Sequence, residues 1–159
     1  MPVPSQGDAA RDRDGRILAG PTEGDPALRD AMEAADSEAD AIRTRLRTTG
    51  PTDVEADGDI RQHLLAEERL HSVRRSAILR GPGAADGHGL GGTLYLTSER
   101  VVHLGQVTMS IQLTNITEAS VAGERLLLSL GDGEGVAVDC GRPRAFRAEL
   151  ATAIRRARR

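Results

Sequence analysis

A series of short β-rich segments, bounded by glycines or polar turns and followed by one amphipathic helix, constrains the fold of this chain most strongly. Residues 91–105 read GGTLYLTSERVVHLG, two β-rich stretches around the polar turn Thr97–Arg100, with glycines at both outer ends. Over 107–113 apolar residues alternate strictly with polar ones, the pattern of a half-buried strand. A further β-permissive stretch lies at 70–80. These segments predict an antiparallel β domain.

Three more strands and a helix complete the pattern. Strands are predicted at 116–122, 126–130 and 136–140, and Asp132-Gly133 between the last two is a strong hairpin signal. From Pro143 a final helix carries an apolar stripe of a size that would cap the open end of a small barrel. We therefore predict a mainly β domain with α: a seven-stranded small barrel or sandwich capped by a C-terminal helix.

The sequence leaves the register of the opening hairpin open, and the register decides which side chains share a face. Pairing across Ser98 and Glu99 makes every second residue of each strand point to the same side of the sheet. The pairing puts Leu94, Leu96 and His103 on one face, and Tyr95, Val102 and Leu104 on the other. A bulge would change this register.

The N-terminal part differs in composition. Residues 1–59 hold 14 Asp and Glu against 7 Arg, a net charge of −7, whereas residues 60–159 have a net charge of +4. We predict a disordered tail at 1–24, an amphipathic helix at 25–48 and an acidic linker at 49–62. The β domain then covers 63–159.

The predicted N-terminal helix has a short heptad seam. Its apolar positions are spaced alternately by four and three residues, as in a coiled coil: Leu28, Met32, Ala35, Ala39, Ile42 and Leu46. One hypothesis is that Leu28, Met32, Ile42 and Leu46 dock a partner helix or a second copy of the chain. The alternative is that the helix packs on the neighbouring domain or forms only in part, because isolated helices of this length are marginal.

Composition excludes several classes of function. All 21 basic residues are arginine, so a P-loop, a protein kinase or a Schiff-base enzyme would lack its lysine. Tyr95 and Phe146 are the only aromatic residues, which disfavours base stacking on nucleic acid. The G-x-G-x-x-G match at 87–92 precedes a strand rather than a helix, so we interpret it as a strand connection. No histidine or cysteine spacing indicates a metal site or a catalytic group. We expect no enzyme activity and no cofactor.

The chain carries no signal of secretion or membrane insertion. A lone Cys140 fits a reducing compartment, and the first residues contain neither a basic start nor an apolar run. No stretch approaches the roughly 18 apolar residues of a membrane span. We expect a cytoplasmic protein, with peripheral attachment at the inner face of the membrane as the alternative.

Three segments resemble a known family. The run Gly-Thr-Leu-Tyr-Leu-Thr-Ser-Glu-Arg-Val-Val-His-Leu at 92–104, the run Ile-Gln-Leu-Thr-Asn-Ile at 111–116, and the leucine-rich hairpin with its closing helix are similar to the PH-like superfamily. More narrowly, they resemble GRAM-type and bacterial PH-like domains of actinobacterial proteins. The similarity covers about residues 63–159. It implies a PH-like fold and a non-enzymatic scaffold that binds membrane lipids, peptides or other proteins.

The resemblance also implies where an anionic ligand would bind. In lipid-binding members, basic residues on the first strand and the following loop hold the phosphate headgroup, and the corresponding positions here are Arg74, Arg75 and Arg80. The sequence departs from that pattern in having no lysine and no base in the loop 81–92. We therefore expect a module that binds another protein in the cytosol, with anionic lipid bound through arginines as the alternative.

The closing helix adds a second set of basic residues. Arg144, Arg147, Arg155 and Arg158 share one of its faces, beside the apolar stripe. They indicate either contact with an anionic surface or a solvated face whose last arginines offset the helix dipole.

Overall fold

The computed structural model describes residues 25–80 and 89–159. The chain falls into two compact units, with the boundary after Asp36. Residues 25–36 form the start of a helix, and Ser37–Arg159 forms one compact unit. The predicted tail at 1–24 and the segment 81–88, with the first part of the G-x-G-x-x-G match, lie outside the described residues. The elements are α1 (Pro26–Thr49), α2 (Gly58–Arg61), β1 (Leu70–Arg80), β2 (Leu90–Thr97), β3 (Arg100–Gly105), β4 (Thr108–Gln112), a 3₁₀ turn (Leu113–Asn115), β5 (Ile116–Ala122), β6 (Arg125–Leu130), β7 (Gly135–Asp139) and α3 (Pro143–Ala157).

The seven strands form one antiparallel sheet in the order β4-β3-β2-β1-β7-β6-β5. The edge strands β4 and β5 do not pair with each other, so hydrogen bonding does not close the sheet into a barrel. Strands β1–β4 form one half of the sheet and β5–β7 the other. Val101 and Ile111 from the first half nevertheless belong to the same buried cluster as Leu126 and Leu128 from the second. The two halves therefore face each other across a common core. This confirms the predicted class, a seven-stranded β domain with a closing helix and a preceding helix.

The closing helix α3 completes that core. Pro143 stands at its first turn, where the missing N–H costs nothing. Phe146 and Leu150 are fully buried in the cluster between the two halves of the sheet. Full burial of each such side chain contributes about 1.5–3 kcal/mol, so α3 is a principal source of stability.

The outer face of the first hairpin is buried as well. Tyr95 and Val102 pack with Leu70 and with Ile60 of α2, which is fully buried. The hairpin has the register predicted without a bulge, with Tyr95 opposite Val102. The short helix α2, absent from the sequence predictions, forms because the Asp57 carboxylate accepts a hydrogen bond from the Ile60 amide at 3.0 Å and so caps it.

A bulge interrupts the long strand β1. Arg74 lies opposite Leu94, but Ala77 lies opposite Gly92, so β1 has one residue more than β2 over this interval. Ser76 takes up the extra residue with a left-handed φ of 61°. The bulge leaves the adjoining Arg75 exposed.

The alternating stripe at 107–113 is buried only toward its end. Ile111 and Leu113 are buried, but Val107 is 46% exposed. Val107 precedes the first residue of β4, in the turn after β3, where the pleat no longer directs side chains to the core. The predicted strand was therefore one residue too long at this end, and one too long at the other end, where Leu113 begins the 3₁₀ turn.

Candidate functional site

The first arginine of the predicted anion site, Arg74, is part of the core packing. Its side chain is 12% exposed and lies over the Phe146 ring, 5.3 Å from the centroid. Its Nε donates to the carbonyl oxygen of Gly141 at 3.1 Å, and its Nη2 lies 3.4 Å from a carboxylate oxygen of Glu149. These contacts attach β1 to α3, so the charge of Arg74 is directed to the inside of the protein.

The other two arginines, Arg75 and Arg80, form separate ion pairs. Arg75 is 68% exposed and lies 3.5 Å from Asp57. Arg80 donates to Asp139 at 2.6 Å, and the same carboxylate accepts from Arg125 at 2.6 Å. The hydrogen bond from Arg125, followed by that from Arg80, holds the pKa of Asp139 below its usual value despite partial burial. Arg74, Arg75 and Arg80 thus contact three different elements: α3, the cap of α2 and β7.

The Thr97–Arg100 turn is held by a buried carboxylate. Thr97 Oγ1 accepts from the amides of Glu99 and Arg100 at 3.0 and 2.8 Å, and it donates to Glu68 at 2.6 Å. Arg100 donates from Nε and Nη2 to both oxygens of Glu68, at 2.9 and 2.8 Å. Desolvation raises the pKa of Glu68, but the hydrogen bonds from Arg100, Leu65 and Thr97 outweigh it and hold the pKa below its usual value. The residues that carry the family resemblance therefore stabilise the hairpin.

Two arginines, Arg147 in α3 and Arg158 directly after it, protect the edge of the sheet. Arg147 donates to the carbonyl oxygen of Ala119 at 3.0 Å, and Arg158 donates to that of Ile116 at 2.6 Å. Both carbonyls belong to the edge strand β5, which pairs only with β6. Blocking the backbone of an edge strand prevents pairing with another chain. This role is neither of the two that the helical pattern indicated.

The C-terminal half of α1 and helix α3 run in the same direction. Arg142, directly before α3, donates to Glu38 at 2.6 Å. About two turns further along each helix, Arg45 lies 3.8 Å from Glu149. At the end of α1, a Cβ added to Gly50 would lie 3.8 Å from Nη1 of Arg156. The C-terminal ends of both helices therefore lie close together, with a groove between them. We call it the Leu46 groove because Leu46 lines both of its parts.

One part of the Leu46 groove is basic. Its volume is about 540 Å³, and its lining consists of Leu46, Arg47, Thr152, Arg155, Arg156 and Arg159. Arg155 donates to the Thr152 hydroxyl at 3.0 Å, and Arg47 lies 3.4 Å from the Thr44 hydroxyl. Among residues 25–80 and 89–159, no carboxylate side chain forms an ion pair with any of these four arginines. By contrast, Arg74, Arg75 and Arg80 each form an ion pair with a carboxylate.

The other part of the Leu46 groove is mainly apolar. Its volume is about 340 Å³, and its lining consists of Arg45, Leu46, Pro51, Thr52, Val54, His71, Glu149 and Ala153. Val54 is 41% exposed at this surface. Burial lowers the pKa of His71, and Asp53 only partly opposes that effect, so the imidazole is neutral near pH 7.

The predicted helix seam is divided between two environments. Leu46 and Ala39 are buried in the compact unit and Ile42 is half-buried, as expected for a helix that packs on the domain. Leu28 and Met32, in the unit before Ser37, are exposed. Only the C-terminal half of the seam is therefore used within the compact unit.

Two properties of the described residues bear on metals and membranes. No group of three His, Cys, Asp or Glu side chains in 25–80 and 89–159 is placed to hold a metal ion. No helix in the same ranges has the length and apolar character required to cross a bilayer.

Sequence reasoning missed the basic part of the Leu46 groove. The helical pattern grouped Arg155 with Arg144, Arg147 and Arg158 on one face of the closing helix and singled out neither Arg47 nor Arg156 as a candidate binding residue. The run Arg155-Arg156 near the end of α3, together with Arg47 near the end of α1, was the available signal. It could not be used without knowing that the two helix ends meet.

Comparison with solved structures finds similar folds at low sequence identity. The Vps36 N-terminal PH domain has a TM-score of 0.46 and 18% identity, over 58% of this chain and 83% of that one. The PH domain of USP37 has a TM-score of 0.38 and 15% identity, over 55% and 97%. Inner Membrane Complex Sub-compartment Protein 3 from Toxoplasma gondii has a TM-score of 0.43 and 13% identity, over 67% and 91%. No protein-family model matches the sequence, and neither does any curated protein.

Proposed function

We propose that this protein is a non-enzymatic, PH-like interaction module that binds another protein in the cytosol. The observation that carries the proposal is the Leu46 groove, which offers an apolar pocket at the surface of the compact unit. A pocket of about 340 Å³ accommodates a large aliphatic or aromatic side chain. Binding energy at protein interfaces concentrates in such anchors, buried in a pocket and surrounded by polar contacts.

The charged groups beside the pocket support a binding role. Arg45 and Glu149 lie 3.8 Å apart and compensate each other at one side of the apolar part. Glu149 also contacts Arg74, so it holds α3 against β1. These side chains are engaged in structural pairs, and a partner would gain its affinity from the apolar surface and from the arginines at the other part of the groove.

A pair of matched valines tests the proposal. Peptides that bind the full-length protein are selected from a random displayed library, and their affinity is then measured for Val54→Glu and Val107→Glu. Val54 lines the pocket at 41% exposure, whereas Val107 is 46% exposed in the turn before β4. We expect Val54→Glu to abolish binding and Val107→Glu to leave it unchanged. Equal affinities for the two variants, or a selection that yields no binder, would refute the proposal.

A second candidate function is binding of anionic lipid through an arginine. The observation that favours it is Arg75, which the β1 bulge leaves 68% exposed and 3.5 Å from its partner Asp57. Arg69 is a matched control, since it is 67% exposed and pairs with Asp53 at 2.8 Å. Flotation with anionic vesicles should be weakened by Arg75→Gln and unaffected by Arg69→Gln, and it should fade as salt increases. Equal flotation with neutral vesicles would exclude this function.

A further inference from the structure

We infer that the basic part of the Leu46 groove binds acidic side chains, so that the partner segment carries an apolar anchor adjacent to a run of Asp or Glu. This inference rests on the proposed function and specifies the chemistry of the partner. The site consists of Arg47 on α1 and Arg155, Arg156 and Arg159 on or beside α3.

The local electrostatics leave an excess of positive charge at this site. Each helix C-terminus carries the equivalent of about −0.5 charge, so the two parallel helices together offset about one of the four guanidinium charges. Within the part of the chain that the structure describes, no side-chain carboxylate pairs with these arginines. Several arginines held together repel one another, and an anionic ligand relieves that repulsion on binding.

The shape of the site favours a peptide segment over a single small anion. Its volume of about 540 Å³, lined by residues near the ends of two helices, exceeds what one phosphate or carboxylate group fills. Guanidinium groups bind carboxylates through paired hydrogen bonds, so four arginines that line one pocket can hold several acidic side chains. A recessed groove also suits a chain segment better than the flat surface of a bilayer.

The two parts of the groove place the apolar anchor and the acidic residues next to each other in the partner. Ala153 and Val54 line the apolar part, and Arg156 and Arg159 line the basic part. Leu46 lies between the two parts and lines both. An anchor side chain beside Val54 therefore places the neighbouring residues of the same segment over the arginines.

The test uses the full-length protein and a synthetic peptide with one leucine between two runs of glutamates. Fluorescence anisotropy measures its affinity for the wild type, for Arg155→Gln/Arg156→Gln and for Arg43→Gln/Arg61→Gln. The second double variant removes the same charge outside the groove, where Arg43 pairs with Asp40 and Arg61 binds a backbone carbonyl. We expect the groove variant to weaken binding by about tenfold or more and the control by less than about twofold. The affinity of the wild type should also fall as salt increases.

Four results would overturn the inference. The first is absence of binding of the peptide to the wild type, and the second is equal binding of a peptide with glutamine in place of glutamate. The third is equal weakening by the two double variants, which would indicate a diffuse charge effect. The fourth is binding of anionic vesicles that depends on Arg155 and Arg156 more strongly than peptide binding does.

The library selection separates this inference from the proposed function. Selected peptides that depend on Val54 but show no enrichment in acidic residues would leave the proposed function intact and refute only the acidic-segment inference. Peptides that bind independently of Val54 would instead refute the proposed function.

Discussion

Replacing Arg100 should destabilise the protein strongly, because its main partner is a buried carboxylate. The side chain of Glu68 is 0% exposed and accepts four hydrogen bonds, two of them from Arg100 at 2.9 and 2.8 Å. The other two come from Thr97 at 2.6 Å and from the Leu65 amide at 2.9 Å. Arg100→Met removes the positive charge and leaves the carboxylate desolvated, which costs about 3–5 kcal/mol of unfolding free energy for a buried pair.

A double-mutant cycle separates the interaction energy of the Glu68–Arg100 pair from general damage to the core. We expect the unfolding free energy lost in Glu68→Gln/Arg100→Met to be smaller than the sum of the single losses by about 2 kcal/mol, because neither group is left charged and buried alone. Urea unfolding can be followed by the fluorescence of Tyr95, the only tyrosine in a chain without tryptophan. Arg69→Met is the control, since its pair with Asp53 is exposed and is worth at most about 1 kcal/mol. Additive losses, within about 0.5 kcal/mol, would refute the proposed coupling.

Three further predictions concern the core, pH and the single thiol. Gly92→Ala should lower the unfolding free energy by about 1–3 kcal/mol, because a Cβ there would lie 2.3 Å from the carbonyl oxygen of Leu104. Gly91→Ala, whose Cβ meets nothing within 4 Å, should change it by less than about 0.5 kcal/mol, and equal effects in urea titrations would contradict this account. Burial lowers the pKa of His71, so the contribution of the neutral ring is complete above the unfolded value of 6.5 and is lost as pH falls below it. His71→Gln should flatten the pH dependence of unfolding in that range, and an unchanged slope would count against it. Burial also raises the pKa of the Cys140 thiol, which should react with a thiol reagent much more slowly in the native state than in urea; equal rates would show that it is accessible.

Much of the fold could be predicted because its signals are local. Strict alternation, glycine turns and Pro143 each act over a few neighbouring residues, and they located the strands and the closing helix. The register of the first hairpin was left open between pairing across Ser98-Glu99 and a bulge, and the structure has the pairing without a bulge. Helix α2 escaped prediction because Gly58 gives a poor helix propensity, and its stability comes from burial of Ile60 against the sheet.

The candidate site could be predicted much less well. Arg74 and Arg75 are neighbours in the sequence, yet one lies over the Phe146 ring and the other is exposed at a bulge. No local pattern distinguishes them, because the partners Glu149 and Asp57 come from distant segments. The division of the chain at residues 24, 48 and 62 remains a prediction from composition.

The sequence alone determined the number of strands and their succession along the chain, the closing helix, and the absence of lysine from the whole chain. Those properties depend on periodicity and composition, which do not require knowledge of any distant contact. The tertiary structure decided which arginines are used internally and which line the Leu46 groove. An arginine has a structural role where folding places a carboxylate or a carbonyl oxygen beside its guanidinium group. It is a candidate binding group where folding places other arginines beside it. Only the topology determines which of these two surroundings a given arginine has.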